Sequence, residues 1–144
     1  MRFHNKVTLV ELLEEVAIIG VLVAISIPIF TSQLEKAREA TDEANIRSIY
    51  AQLSADVLTE NTTSGTNKDK AVCPAAATYT VKKDDTTGNI TGEATYTMTQ
   101  KTNGTVSKTD VTIGGVTITS DKFTTGTATI TIKDDGTAST IEIK

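Results

Sequence analysis

Hydrophobic and polar positions divide the chain into stretches of different period. Residues 7–30 are nearly continuously apolar, interrupted by Thr8, Glu11, Glu14, Glu15 and Ser26. From 31 to 58 the spacing turns helical: Leu34, Ala37, Thr41, Ala44, Leu53 and Val57 mark one stripe. Glu35, Lys36, Arg38, Glu39, Asp42, Glu43 and Arg47 fall outside it, which predicts an amphipathic continuation of the same helix. Residues 59–77 are rich in Thr, Asn, Gly and Lys and read as an exposed connecting loop. Beyond them, over 78–144, Thr dominates and β-branched residues alternate with polar ones, which predicts strands.

Turn chemistry sets an expected strand register. Gly114-Gly115 between Val111-Thr112-Ile113 and Val116-Thr117-Ile118 is a two-residue hairpin signal that pairs Val111 with Ile118. Counting back from a turn at Asn103-Gly104 places Tyr96 opposite Val111 and Ala94 opposite Ile113. Asp135-Gly136 likewise sets Ile130 against Ile141 and Ala128 against Ile143. With Tyr79 and Val81 in an earlier strand, the expected fold is α+β: a long N-terminal helix packed on a C-terminal antiparallel β-meander. Thr and Lys should face outward.

The apolar stretch follows a short basic leader, residues 1–6, in which Arg2 and Lys6 carry the charge. Residues 16–30 alone fall short of the roughly twenty that a spanning helix needs, and extension back to Val7 supplies the length. The extension brings in three carboxylates, each costing about 2.5–3.5 kcal/mol at the bilayer centre and less near the headgroups, where these lie. Two other readings compete. A cleaved secretory signal has the same basic start and apolar core, but no Ala-x-Ala-like site follows and the sequence runs directly into helix-forming residues. An ordinary buried core helix leaves the leader unexplained.

The order Thr8-Leu9-Val10-Glu11-Leu12-Leu13, then Ala17-Ile18-Ile19-Gly20 and Pro28, resembles the N-terminal segment of type IV pilins and of the pseudopilins of type II secretion. The resemblance covers the segment from Val7 to Pro28 and implies the type IV pilin fold. It implies that a prepilin peptidase cuts between Lys6 and Val7, that the new terminus at Val7 is N-methylated, and that Pro28 kinks the helix. It further implies that Glu11 neutralises the N-terminal amine of a neighbouring subunit during assembly. In a dry filament core an unpaired carboxylate is expensive, so an ion pair there offsets much of the cost.

The sequence departs from the family pattern at three places. Lys6 stands where the peptidase expects glycine, Val7 where phenylalanine is usual, and Glu14 and Glu15 interrupt the apolar run. Glu11, Glu14 and Glu15 share one helical face, where like charges repel and one amine cannot serve all three.

Composition narrows the function. The net charge of −4 has no basic stripe, so nucleic acid is not an expected partner. His4, the only histidine, lies in the leader, away from other catalytic types, so neither an enzyme nor a cofactor is expected. The single cysteine, Cys73, excludes an intrachain disulfide and reads as a small buried or loop residue or as a reactive thiol. Asp84-Asp85 and Asp134-Asp135-Gly136 offer oxygens for calcium as loops of some pseudopilins do, yet neither matches an EF-hand and turn chemistry accounts for both, so no metal is expected. Asn61-Thr62-Thr63 and Asn89-Ile90-Thr91 match the glycosylation acceptor pattern, which arises often by chance.

The resulting expectation is a structural subunit of a type IV pilus, a homo-oligomeric helical filament for adhesion, motility or DNA uptake. Its partners would be the cytoplasmic membrane, the prepilin peptidase and the assembly machinery, with membrane anchoring before assembly and cell-surface exposure afterwards. Alternatives are a pseudopilin of a secretion or competence machine and, from a different class, a membrane-tethered extracellular binding module.

Overall fold

A computed structural model describes residues 8–60, 75–101, 109–123, 125–134 and 139–144. Helix α1, Leu9–Leu58, is followed by β1 (Thr78–Lys83), β2 (Ile90–Thr97), β3 (Val111–Ile113), β4 (Val116–Ile118), β5 (Thr127–Lys133) and β6 (Thr140–Ile143). The chain therefore has the expected α+β content, one long N-terminal helix and antiparallel sheet. It divides into two compact units, one reaching Leu34 and one from Glu35 to Lys144.

The second unit holds the core. Along α1 the buried positions are Glu35, Glu39, Asp42, Ile46, Ile49, Leu53, Asp56 and Val57. From Glu35 to Asp56 they recur at steps of three and four, the spacing of one helical face, and Val57 follows Leu53 by four. Of the expected stripe only Leu53 and Val57 are buried; Leu34, Ala37, Thr41 and Ala44 are exposed. The face is displaced because its first half is acidic and meets backbone N–H donors rather than apolar side chains.

Four strands form one antiparallel sheet in the order β1-β2-β5-β6, and β3 with β4 forms a separate two-stranded sheet. Tyr79, Ala94, Ile130 and Ile141 lie in one row across the large sheet, and Val81, Gly92 and Ile132 in the next. Alternation puts these on one face and Thr, Lys and Glu on the other. Gly92, Ala94 and Ala128 make the middle of that face shallow. A Cβ on Gly92 would stand 2.8 Å from Leu53 and Val57 side chains, so the helix seats itself on the sheet because these residues are small. Burying Ile46, Ile49 and Leu53 completely contributes about 1.5–3 kcal/mol each.

Three expected pairings hold: Val111 opposite Ile118, Ile130 opposite Ile141 and Ala128 opposite Ile143. Gly114 and Gly115 have φ of 56° and 82°, the positive values a tight two-residue turn requires. The continuous meander does not hold. Tyr96 pairs with Ala128 and Ala94 with Ile130, not with Val111 and Ile113. β5 offers β2 a ladder running from Thr91 to Thr97, whereas β3 is only 3 residues long, and longer pairing satisfies more backbone groups. The turns at Asn103-Gly104 and Asp135-Gly136 lie outside the described residues, as does most of the connecting loop.

Candidate functional site: the exposed apolar helix segment

Every residue from Thr8 to Leu34 is exposed, including Leu12, Leu13, Val16, Ile18, Ile19, Val21 and Phe30. By length and composition this part of α1 suits a membrane span. An apolar surface of this extent does not persist in water alone, since soluble proteins bury such patches or cover them.

Its start is fixed by residues 8–11. Thr8 N–H donates to Glu11 Oε2 at 2.9 Å, Glu11 N–H donates to Thr8 Oγ1 at 3.3 Å, and Leu12 N–H donates to Thr8 O at 3.1 Å. Thr8 is thus the N-cap and Glu11 its reciprocal partner, the arrangement called a capping box. Thr-x-x-Glu before an apolar run is its sequence signature, and it gives Glu11 a local role beside any role in assembly. A negative charge in the first turn also suits the positive end of the helix dipole. Glu14 and Glu15 are exposed one turn further on.

Polar groups deeper in the segment are satisfied within the helix. Ser26 Oγ donates to Leu22 O at 2.6 Å and Thr31 Oγ1 to Ile27 O at 2.9 Å. Such back-bonding leaves no hydroxyl unsatisfied in an apolar medium. Pro28 lies inside the helix between them. Lys6 and Val7, at the expected cleavage point, lie outside the described residues, as do His4, Cys73 and Asn61.

A second constellation sits on the next half of α1, where sequence placed only solvated charge. Asp42 is fully buried. It accepts hydrogen bonds from Tyr96 Oη at 2.6 Å, Thr99 Oγ1 at 2.7 Å, Thr99 N–H at 2.9 Å and Gln100 N–H at 2.9 Å. Glu35 Oε1 receives Lys101 N–H at 2.5 Å, while its Oε2 pairs with Arg38 at 3.1 Å. Asn45 Nδ2 donates to Tyr96 Oη at 2.9 Å. Burial, followed by the bond to Asp42, raises the Tyr96 hydroxyl above its usual pKa, because ionisation would put two anions together. Further along, Tyr79 Oη donates to buried Asp56 at 2.6 Å.

Asp84 and Asp134, from the two acidic loop sequences, each accept backbone hydrogen bonds. Asp84 Oδ1 accepts from Thr86 N–H at 2.8 Å and Thr87 N–H at 3.2 Å, and these hold its carboxyl below the usual range. Asp134 Oδ1 accepts from Ile90 N–H at 2.6 Å. Among the described residues no group of three or more His, Cys, Asp or Glu is arranged to hold a metal ion. Asn89 is exposed at the turn before β2. No family model, curated protein or solved structure matches the chain.

Proposed function

We propose that the chain is a non-catalytic structural subunit of a type IV pilus-like filament, with residues 9–30 anchoring it in the membrane before assembly and lining the filament core afterwards. The observation that carries the reading is the exposed apolar segment of residues 8–34, begun by a Thr-x-x-Glu cap on the same helix that continues into the second unit. Such a surface needs lipid, or identical neighbours, to remove it from water.

In this reading Glu11 meets the amine of an adjacent subunit as the Thr8 cap gives way or shares its carboxylate. The Thr-rich sheet face is the filament's outer surface. Cross-linking of the membrane fraction, followed by electrophoresis, tests it: a regular ladder of multiples is expected. A single monomeric band would leave a membrane-tethered binding module instead. Electron microscopy with antibody against the sheet domain separates long surface filaments from the short assemblies of a secretion pseudopilus.

A further inference from the structure

The chain leaves the large sheet at Thr97 and returns to it at Thr127, on the strand next to the one it left. Met98 N–H still donates to Gly126 O at 2.9 Å, so the described residues 99–101 and 109–123 interrupt an otherwise continuous ladder as an insertion. Within it, residues 109–123 close on themselves. β3 pairs with β4, Ser120 N–H donates to Asp110 Oδ1 at 2.9 Å, and Lys122 N–H donates to Thr119 O at 2.9 Å. Among the described residues this hairpin shares no strand pairing with the large sheet. β4 and β6 have Cα atoms within 8 Å of each other. An open cleft of about 480 Å³, lined by Thr117, Ile118, Thr119, Lys122, Ile141 and Ile143, runs between them.

Side chains of the helix and of the insertion's root hold the hairpin down. At the tip, Tyr50 Oη donates to Gly114 O at 3.1 Å, and the Tyr50 ring fills the space a Cβ on Gly114 would need. At the root, Asp42 gathers the N–H groups of Thr99 and Gln100 together with the Tyr96 and Thr99 hydroxyls. Gln100 Nε2 passes that hold to the exit by donating to Phe123 O at 3.1 Å. The described donors at Asp42 are hydroxyls and backbone N–H groups, all of which need an acceptor opposite them. An amide in its place would turn an NH₂ toward them.

We propose that residues 109–123 are a strap that opens as one unit while the large sheet stays folded, with Asp42 as the latch at its root and Tyr50 as the catch at its tip. Opening exposes Val111, Ile113, Ile118 and Phe123, now buried, without breaking any strand pairing of the large sheet. Contiguous segments with their own internal bonding commonly open this way, at free energies below that of global unfolding.

Hydrogen–deuterium exchange of the full chain in detergent micelles, read by peptide at fixed pH, tests the strap. Asp42→Asn and Tyr50→Phe are compared with the parent, and Tyr79→Phe, on β1, serves as a control outside it. Peptides within 109–123 should exchange roughly tenfold faster in Asp42→Asn, the factor that ~1.4 kcal/mol represents, and several-fold faster in Tyr50→Phe. Peptides from β2 and β5 should accelerate far less than those of the strap in Asp42→Asn, where the bond to Tyr96 on β2 is also lost, and should keep the parent rate in Tyr50→Phe. Acceleration greater in the strap than in the sheet in either variant, absent in the control, supports the proposal, and a misfolded Asp42→Asn leaves Tyr50→Phe to decide. Any other pattern overturns it: no acceleration in either variant, or equal acceleration of strap and sheet, means that hairpin and sheet open together.

Discussion

Replacing Gly92 by alanine puts the seating of the helix on the sheet to a quantitative test. Cβ would lie 2.8 Å from Leu53 Cγ and Cδ1 and 2.8 Å from Val57 Cγ2. Neither neighbour has room to withdraw, since Leu53 is fully buried and Val57 is 2% exposed. Two effects oppose each other. Gly92 is not among the glycines at positive φ, so alanine fits its backbone and should gain about 0.4–1 kcal/mol by restricting the unfolded chain. Overpacking a filled core costs about 1–3 kcal/mol, so the net change is a loss on the order of 1–2 kcal/mol. In a folded unit of this size that lowers Tm by roughly 5–10 °C. Thermal unfolding followed by near-ultraviolet circular dichroism, in detergent, measures it. Leu53→Val should be mildly destabilising alone and should recover part of the loss when combined with Gly92→Ala, a coupling expected of residues in contact. A Gly92→Ala chain melting at or above the parent temperature would refute the packing described here, as would two losses that simply add.

The assembly reading predicts how variants at Lys6, Glu14 and Glu15 behave, and two further tests address the sheet domain. Because Lys6 stands in place of the glycine, Lys6→Gly alone should restore cleavage before Val7, seen by mass spectrometry, but give few filaments. Adding Glu14→Val and Glu15→Val should restore polymerisation, since each carboxylate carried into an apolar core costs about 2.5–3.5 kcal/mol when unneutralised. Abundant filaments from the unaltered chain, cut before Val7, would defeat this account. Gly115→Val should destabilise the hairpin by about 2 kcal/mol, because φ of 82° suits glycine and resists a β-branched residue. An unchanged Tm would show that the turn does not hold that conformation. The raised Tyr96 pKa means that the folded state keeps its proton more firmly than the unfolded chain, whose ordinary value is 10.0. Its contribution to stability is therefore complete below about pH 10 and is lost as pH rises through the higher folded value. Unfolding titrations above pH 9 should show a steeper alkaline decline for the parent than for Tyr96→Phe; parallel curves would count against the burial of the Tyr96 hydroxyl and its bond to Asp42.

The sequence by itself determined what depends on neighbours along the chain. The apolar run of 7–30, the cap at Thr8 and Glu11, and the helix through residue 58 follow from local periodicity and local hydrogen bonds. So does the hairpin at Gly114-Gly115, because a two-residue turn dictates which positions face each other; the expected pairing of Ile130 with Ile141 is also present, its turn lying outside the described residues. Even the capping box was legible as Thr-x-x-Glu, although the resemblance drew attention to Glu11 for another reason.

What only the tertiary structure decided are choices made between distant segments. Glu35, Glu39 and Asp42 read as solvent-facing because a carboxylate alone is too costly to bury; the donors that make burial tolerable at Asp42 lie 54 to 58 residues away, on Tyr96, Thr99 and Gln100. No helical period reveals that. The same distance dependence settled the strand order. β2 had a near candidate in β3 and a remote one in β5, and the remote one won because its ladder runs the length of the strand while Asp42 draws residues 99–100 away toward the helix. Local patterns state what each segment prefers to be; which segments meet depends on where long-range hydrogen bonds and small residues such as Gly92 let two surfaces close.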